Sequence, residues 1–105
     1  MEDITVIDLA ARLKDGAAPI VIDVREPDEF AFAHIEGAQL KPLGEIMEWA
    51  QELDRDQEYV MQCHTGSRSA YAAQILRQLG FKKVRNLIGG IDAWSVYVDP
   101  KAPRY

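Results

Sequence analysis

Tyr59-Val60-Met61-Gln62-Cys63-His64-Thr65-Gly66-Ser67-Arg68-Ser69 joins two kinds of periodicity. Its first four residues read as a short buried strand. Beyond Ser69 the spacing turns helical: Ala72, Ile75, Leu76 and Leu79 lie on one stripe, and Gly80 follows where a left-handed C-cap is usual. A strand, a loop of small residues and a helix form the unit from which parallel α/β sheets are built. Ligands of such sheets bind beyond the carboxyl ends of the strands. Cys63, the chain's one cysteine, stands at that place.

The alternation continues in both directions. Ile20-Val21-Ile22-Asp23-Val24 reads as a second buried strand. Residues 84–88 read as a third, interrupted by Arg85 and Asn86, and residues 4–6 and 38–40 are shorter candidates. Between them Leu9 and Leu13 are spaced i, i+4, and Ile46, Met47, Ala50 and Leu53 form an apolar stripe. Pro27 suits the first turn of a short helix through Phe32. Gly89-Gly90 precedes a last helix over residues 91–98, stopped by Pro100. The expectation is an α/β fold: a mainly parallel central sheet of about five strands with helices on both faces, and residues 1–105 as a single domain. Ile91, Trp94 and Phe30 read as core, whereas Trp49 fits either core or surface.

Composition narrows the function. The chain has 105 residues, 48% hydrophobic and 28% charged, as in ordinary globular proteins. A net charge of -5 argues against nucleic acid as a partner. No apolar run approaches the roughly 18 residues of a membrane span. The start, Met1-Glu2-Asp3-Ile4, lacks the basic and apolar parts of a secretory signal, so a cytoplasmic location is the default expectation. One cysteine makes no internal disulfide. Two histidines and one cysteine at these spacings give no metal site, and nothing implies a cofactor. On so acidic a chain an anion site must be locally positive, and the Cys63–Arg68 loop is the candidate.

A thiolate is the nucleophilic form of cysteine, and three features of the loop favour it. The following helix points its positive end at the loop. Thr65, Gly66, Ser67 and Ser69 are small enough for successive N–H groups to turn inward as an anion-binding nest. Arg68 adds a full positive charge shaped for oxyanions. Cys63 is therefore read as the catalytic nucleophile, and His64, Thr65, Gly66, Ser67, Arg68 and Ser69 as the substrate-binding loop. A lone cysteine after an apolar strand is often only a small core residue, but such a residue has no need of Gly, two serines and an arginine beside it. Adjacent side chains diverge, so His64 is assigned to the rim of the site rather than to activation of Cys63. Four residues separate Cys63 from Arg68, whereas cysteine phosphatases carry five. The tighter loop suits a sulfane sulfur better than a tetrahedral phosphate.

With these residues in place the chain resembles a rhodanese sulfurtransferase domain. Asp23-Val24-Arg25-Glu26-Pro27-Asp28-Glu29-Phe30 with Ala33-His34-Ile35-Glu36-Gly37-Ala38 is similar to that family's N-terminal signature. Gly89-Gly90-Ile91-Asp92-Ala93-Trp94 is similar to its C-terminal signature, and residues 63–69 to its active-site loop and the serine after it. Ala33 stands where the family often has glycine. The tail, with Val98, Asp99, Pro100, Pro103 and Tyr105, resembles the C-terminal rhodanese domain of adenylyltransferase–sulfurtransferase fusion proteins.

The resemblance implies a rhodanese-like fold and transfer of a sulfane sulfur through a Cys63 persulfide. The donor would be thiosulfate or a protein persulfide, and the acceptor a thiol, cyanide or a sulfur-carrier protein. A cysteine desulfurase or an adenylating enzyme is an implied partner. Asp23, Arg25, Glu29 and His34 take structural roles around the loop. The alternatives are a non-catalytic docking or regulatory module, and a cysteine phosphatase or arsenate reductase on the same fold.

Overall fold

The computed structural model describes residues 3–16 and 18–105. Among the described residues four strands form a parallel sheet: β1 (Ile20–Asp23), β2 (Gln39–Leu40), β3 (Tyr59–Gln62) and β4 (Val84–Asn86), in the order β2-β1-β3-β4. β1 and β3 pair along their whole length, from Ile20 against Tyr59 to Asp23 against Gln62. The acidic end of β1 and the cysteine end of β3 thus lie side by side at the carboxyl end of the sheet. The fifth segment, near residue 4, makes a single parallel bridge between Ile4 and Leu87. It goes no further because Thr5, extended at φ -82° and ψ 161°, caps helix α1 (Val6–Lys14), its side chain accepting the Asp8 N–H at 3.1 Å. The sheet is therefore four strands plus a bridge, close to the about five expected.

The strands alternate their side chains between two cores. Ile22, Tyr59, Met61 and Cys63 face one, with Trp49, Leu76 and Phe81, under α3 (Ile46–Trp49) and α4 (Ser67–Gln78). Val21 and Val60 face the other, with Leu9, Ile35, Leu87, Ile91 and Trp94, under α1 and α5 (Gly90–Tyr97). Helices therefore cover both faces. At the end of α4, Phe81 N–H reaches Leu76 O at 3.0 Å and Gly80 N–H reaches Arg77 O at 3.1 Å, the Schellman closure that Gly80 suggested.

Trp49 is buried at 7% exposure, and its indole N–H donates to Pro42 O at 2.9 Å. Phe30 departs from the core reading. No residue of its helix, α2 (Pro27–Phe32), is buried, and Phe30 stacks on the exposed His34 ring at 4.0 Å. Six residues, opened by a Glu26–Glu29 capping box, are too few to present a wide apolar face.

Candidate active site

Cys63 leaves β3 at its carboxyl end and is fully buried. The loop then turns at Gly66, whose φ of 115° lies in the left-handed region, and α4 begins at Ser67. This turn aims the Gly66 N–H at Cys63 Sγ, 3.1 Å away. The Ser69 hydroxyl, one turn into the helix, lies 3.3 Å from the same sulfur. Burial pushes the Cys63 thiol up, but the Ser69 hydroxyl and the N–H groups of Ser69, Gly66 and Thr65 outweigh it, and the net shift is downward.

The N-terminus of α5 shapes the loop from behind. Ile91 N–H donates to Cys63 O at 2.9 Å and Asp92 N–H to His64 O at 3.0 Å. These bonds turn the loop carbonyls away from the sulfur and leave its N–H groups facing it. So close an approach excludes a side chain at Gly90: a Cβ there would lie 2.4 Å from Cys63 O and 2.6 Å from His64 O, at a φ of +56°.

Arg68 projects from the first turn of α4 to Glu29 of α2. Nη1 meets Oε1 at 2.8 Å and Nη2 meets Oε2 at 2.9 Å. The Arg68 guanidinium holds the Glu29 carboxyl well below its ordinary value, at about 2. The charge of Arg68 still acts on Cys63. Two of the five guanidinium N–H donors meet Glu29, which leaves three for a ligand. The second oxygen of Glu29 also accepts the Tyr105 hydroxyl at 2.8 Å. A cleft of about 290 Å³ opens here, lined by Asp28, Glu29, Phe32 and Tyr105.

Beneath this surface Asp23 and Arg25 form a fully buried ion pair. Arg25 Nε lies 2.9 Å from Asp23 Oδ1, and Nη2 lies 2.7 Å from Oδ2. Gln62 adds an amide N–H to Asp23 Oδ2 at 2.8 Å, which ties β3 to β1 beside Cys63. Arg25 also donates to Ala33 O at 2.7 Å and to the Tyr105 hydroxyl at 2.8 Å. Each charge is paired and hydrogen-bonded, as burial requires. His34 lies apart from this network: its Nδ1–H donates to Phe30 O at 2.9 Å, within its own segment. His64 is half-buried and stacks on the Tyr105 ring at 4.0 Å, while its Nε2 is buried without a partner.

The structure therefore brings Cys63, Gly66, Ser69 and the Thr65 N–H to one sulfur, and joins Arg68 to Glu29 beside it. Ser67 and Thr65 have exposed side chains. Three site residues were not singled out from the sequence as part of it. Asn86, on β4, meets Ser69 Oγ through its Oδ1 at 2.6 Å. Tyr105 bridges Arg25 and Glu29 from the far end of the chain. Gly90 backs the loop. Asn86 carried a signal, since a polar residue inside a buried strand demands a partner; Tyr105 carried none beyond its place in the tail.

The rhodanese-like domain family profile matches residues 5–96. A protein of Allochromatium vinosum named sulfurtransferase is 37% identical over 87 residues, covering 83% of this chain and 81% of its own. "Probable adenylyltransferase/sulfurtransferase MoeZ" of Mycobacterium tuberculosis is 38% identical over 104 residues, covering 97% of this chain and 26% of its own. The chain spans between 26% and 40% of the length of several curated relatives it matches. The crystal structure of a rhodanese-related protein from Thermoplasma volcanium superposes with a TM-score of 0.82 at 35% identity, over 98% of this chain and 96% of that one. The chain belongs to the rhodanese-like domain family.

Proposed function

We propose that the chain is a rhodanese-type sulfurtransferase that carries sulfane sulfur as a persulfide on Cys63. The Cys63 thiolate attacks the outer sulfur of thiosulfate or of a protein persulfide. The donor S–S bond breaks, and its electron pair leaves with sulfite or with the donor thiolate. An acceptor (cyanide in an assay, a thiol or a sulfur-carrier protein in the cell) then attacks the outer sulfur of the persulfide. The Cys63–sulfur bond breaks, and Cys63 departs as the thiolate it began as. This is double displacement, with ping-pong kinetics.

The observation that carries the reading is the sulfur itself. Cys63 Sγ sits at a strand's carboxyl end, 3.1 Å from the Gly66 N–H and 3.3 Å from the Ser69 hydroxyl, in a loop with its carbonyls turned away. Such fixed dipoles stabilise negative charge on sulfur wherever it develops. Arg68 offers its remaining N–H donors to the sulfonate of the donor. Because Cys63 is fully buried, a donor reaches it only after loop side chains shift. The name of the Allochromatium relative supports the same chemistry. On this reading the physiological partners are a persulfide donor such as a cysteine desulfurase, and a thiol or carrier-protein acceptor supplied where needed by an adenylating enzyme.

The test is thiosulfate:cyanide sulfurtransfer by the wild type and by Cys63→Ser. The variant is expected to lose transfer to background. Substantial thiocyanate formation by Cys63→Ser would contradict the mechanism.

A further inference from the structure

Ser69 has one hydroxyl proton and three acceptors around it. Its Oγ lies 2.6 Å from Asn86 Oδ1, 3.2 Å from Gly66 O and 3.3 Å from Cys63 Sγ. Ser69 is fully buried and Asn86 is 8% exposed, so bulk water is not at hand to satisfy whichever group loses the proton. Gly66 O already accepts the Ala70 N–H at 3.0 Å and the Asn86 amide N–H at 3.2 Å. The second of these bonds also orients the amide: nitrogen to the carbonyl, oxygen to the hydroxyl. Two acceptors are left to compete for the Ser69 proton, an amide oxygen and the reacting sulfur.

We propose that Asn86 is a positioning residue for Cys63: it holds the Ser69 proton while the sulfur is uncharged and yields it when the sulfur becomes a thiolate. An uncharged divalent sulfur, in a thiol or at the inner position of a persulfide, is a weak acceptor, and the amide oxygen at 2.6 Å wins. A thiolate accepts a charge-assisted bond and takes the proton instead. Rotation of one O–H bond makes the exchange, with no heavy atom moving. In the second half of transfer the Cys63–sulfur bond breaks and its electron pair stays on Sγ; the Ser69 O–H turns from Asn86 to Sγ as that charge develops. The place of the exchange in transfer rests on the sulfurtransferase reading, whereas its effect on thiol acidity does not.

Removing the Asn86 amide takes away the 2.6 Å acceptor and leaves the Ser69 donor, whenever the sulfur is uncharged, only the longer contact to Gly66 O at 3.2 Å. That disfavours the thiol and makes Cys63 more acidic. The charged groups around the pair stay as they are. Arg68 acts on Cys63 and is held by Glu29. Asp3 accepts the Asn86 backbone N–H at 3.1 Å. His64 adjoins Cys63 and stacks on Tyr105.

Cys63 is the one cysteine, so the pH dependence of iodoacetamide alkylation reports on it alone. The measurement is made on the full chain as wild type, Asn86→Ala, Ser69→Ala and the double variant. Asn86→Ala is expected to lower the apparent pKa of Cys63 by about half a unit to one unit. Ser69→Ala and the double variant are expected to share one pKa, because Asn86 acts through Ser69. An unchanged or raised pKa in Asn86→Ala overturns the proposal, as does a shift that persists at full size without the Ser69 hydroxyl. Should Asn86→Ala fail to fold, Asn86→Ser, too short to reach Ser69, is read by the same criteria. Alkylation needs no sulfur donor, so failure of Cys63 to load sulfur would overturn the sulfurtransferase reading and leave this one standing.

Discussion

Arg68 and Glu29 form a two-pronged ion pair, Nη1 to Oε1 at 2.8 Å and Nη2 to Oε2 at 2.9 Å. The loop's one cation is thereby tied to the N-terminal signature, on a helix remote in sequence. The site is organised as a chain: β1 holds Arg25 through Asp23, Arg25 holds Tyr105, Tyr105 holds Glu29, and Glu29 holds Arg68.

The pairing sets a pH dependence. The Glu29 carboxyl lies at about 2 in the folded chain, below its ordinary 4.5, with the Arg68 bond as the main cause. Its stabilising contribution is present above 4.5 and is lost as pH falls from 4.5 toward 2. With Arg68 partly exposed, solvent screening leaves about 1–2 kcal/mol. Glu29→Gln is expected to lower stability at pH 7 by that amount and to flatten the acid limb of a denaturant-stability profile over that window. An acid limb identical to wild type would count against the assignment.

The same substitution bears on the donor. Removing the Glu29 charge leaves the Arg68 guanidinium freer for an anion. On the sulfurtransferase reading, KM for thiosulfate in Glu29→Gln is expected to fall several-fold. A raised KM with unchanged kcat would show that Glu29 serves only to place Arg68.

Thiol acidity depends on the loop donors. The Ser69 hydroxyl is among the groups that hold Cys63 below its ordinary value, and the thiolate is the form that reacts. Ser69→Ala is expected to raise the Cys63 pKa and slow alkylation at pH 7 by roughly three- to tenfold, the equivalent of one hydrogen bond to a charged group. The slope is read from alkylation rates between about pH 5 and pH 10.

Gly90 has no room for a methyl group. Its Cβ would fall 2.4 Å from Cys63 O, and backbone is what it meets. Gly90→Ala is expected to cost at least about 2 kcal/mol and to move the Cys63 and His64 carbonyls off the Ile91 and Asp92 N–H groups. Thermal unfolding and sulfurtransfer should both suffer; a variant with wild-type Tm would show that α5 and the loop are not in the contact described.

Asp23 is fully buried beside a fully buried Arg25. Asp23→Asn leaves the guanidinium without its counter-charge, a change that costs about 3–5 kcal/mol in buried pairs. Chemical denaturation measures it directly, and a loss below about 1 kcal/mol would mean that the Ala33 and Tyr105 bonds suffice.

Much of this was legible in the chain because it depends on local pattern. The run Ile20-Val21-Ile22 and the run Tyr59-Val60-Met61 declare buried strands, and Ala72, Leu76 and Gly80 declare a helix and its end. The loop from Cys63 to Ser69 is contiguous, so the groups that the structure gathers around Cys63 Sγ stand together in the sequence. Trp49, not Met47, completes the apolar stripe with Ile46, Ala50 and Leu53, at i, i+3, i+4 and i+7, while Met47, one residue off that face, is exposed. What was hidden depends on residues far apart. Phe30 finds His34 rather than a core because α2 is too short to bury a face. Asn86 and Tyr105 join the site only once β4 lies beside β3 and the tail crosses to Arg25.

The mass of the intact protein after exposure to thiosulfate and removal of the excess bears most directly on Cys63 as a sulfur carrier. The expected result is a gain of one sulfur atom, mapped by peptide to Cys63, absent in Cys63→Ser, and discharged by cyanide as thiocyanate. A protein that stays unmodified, or one that gains sulfur equally well without Cys63, would contradict it.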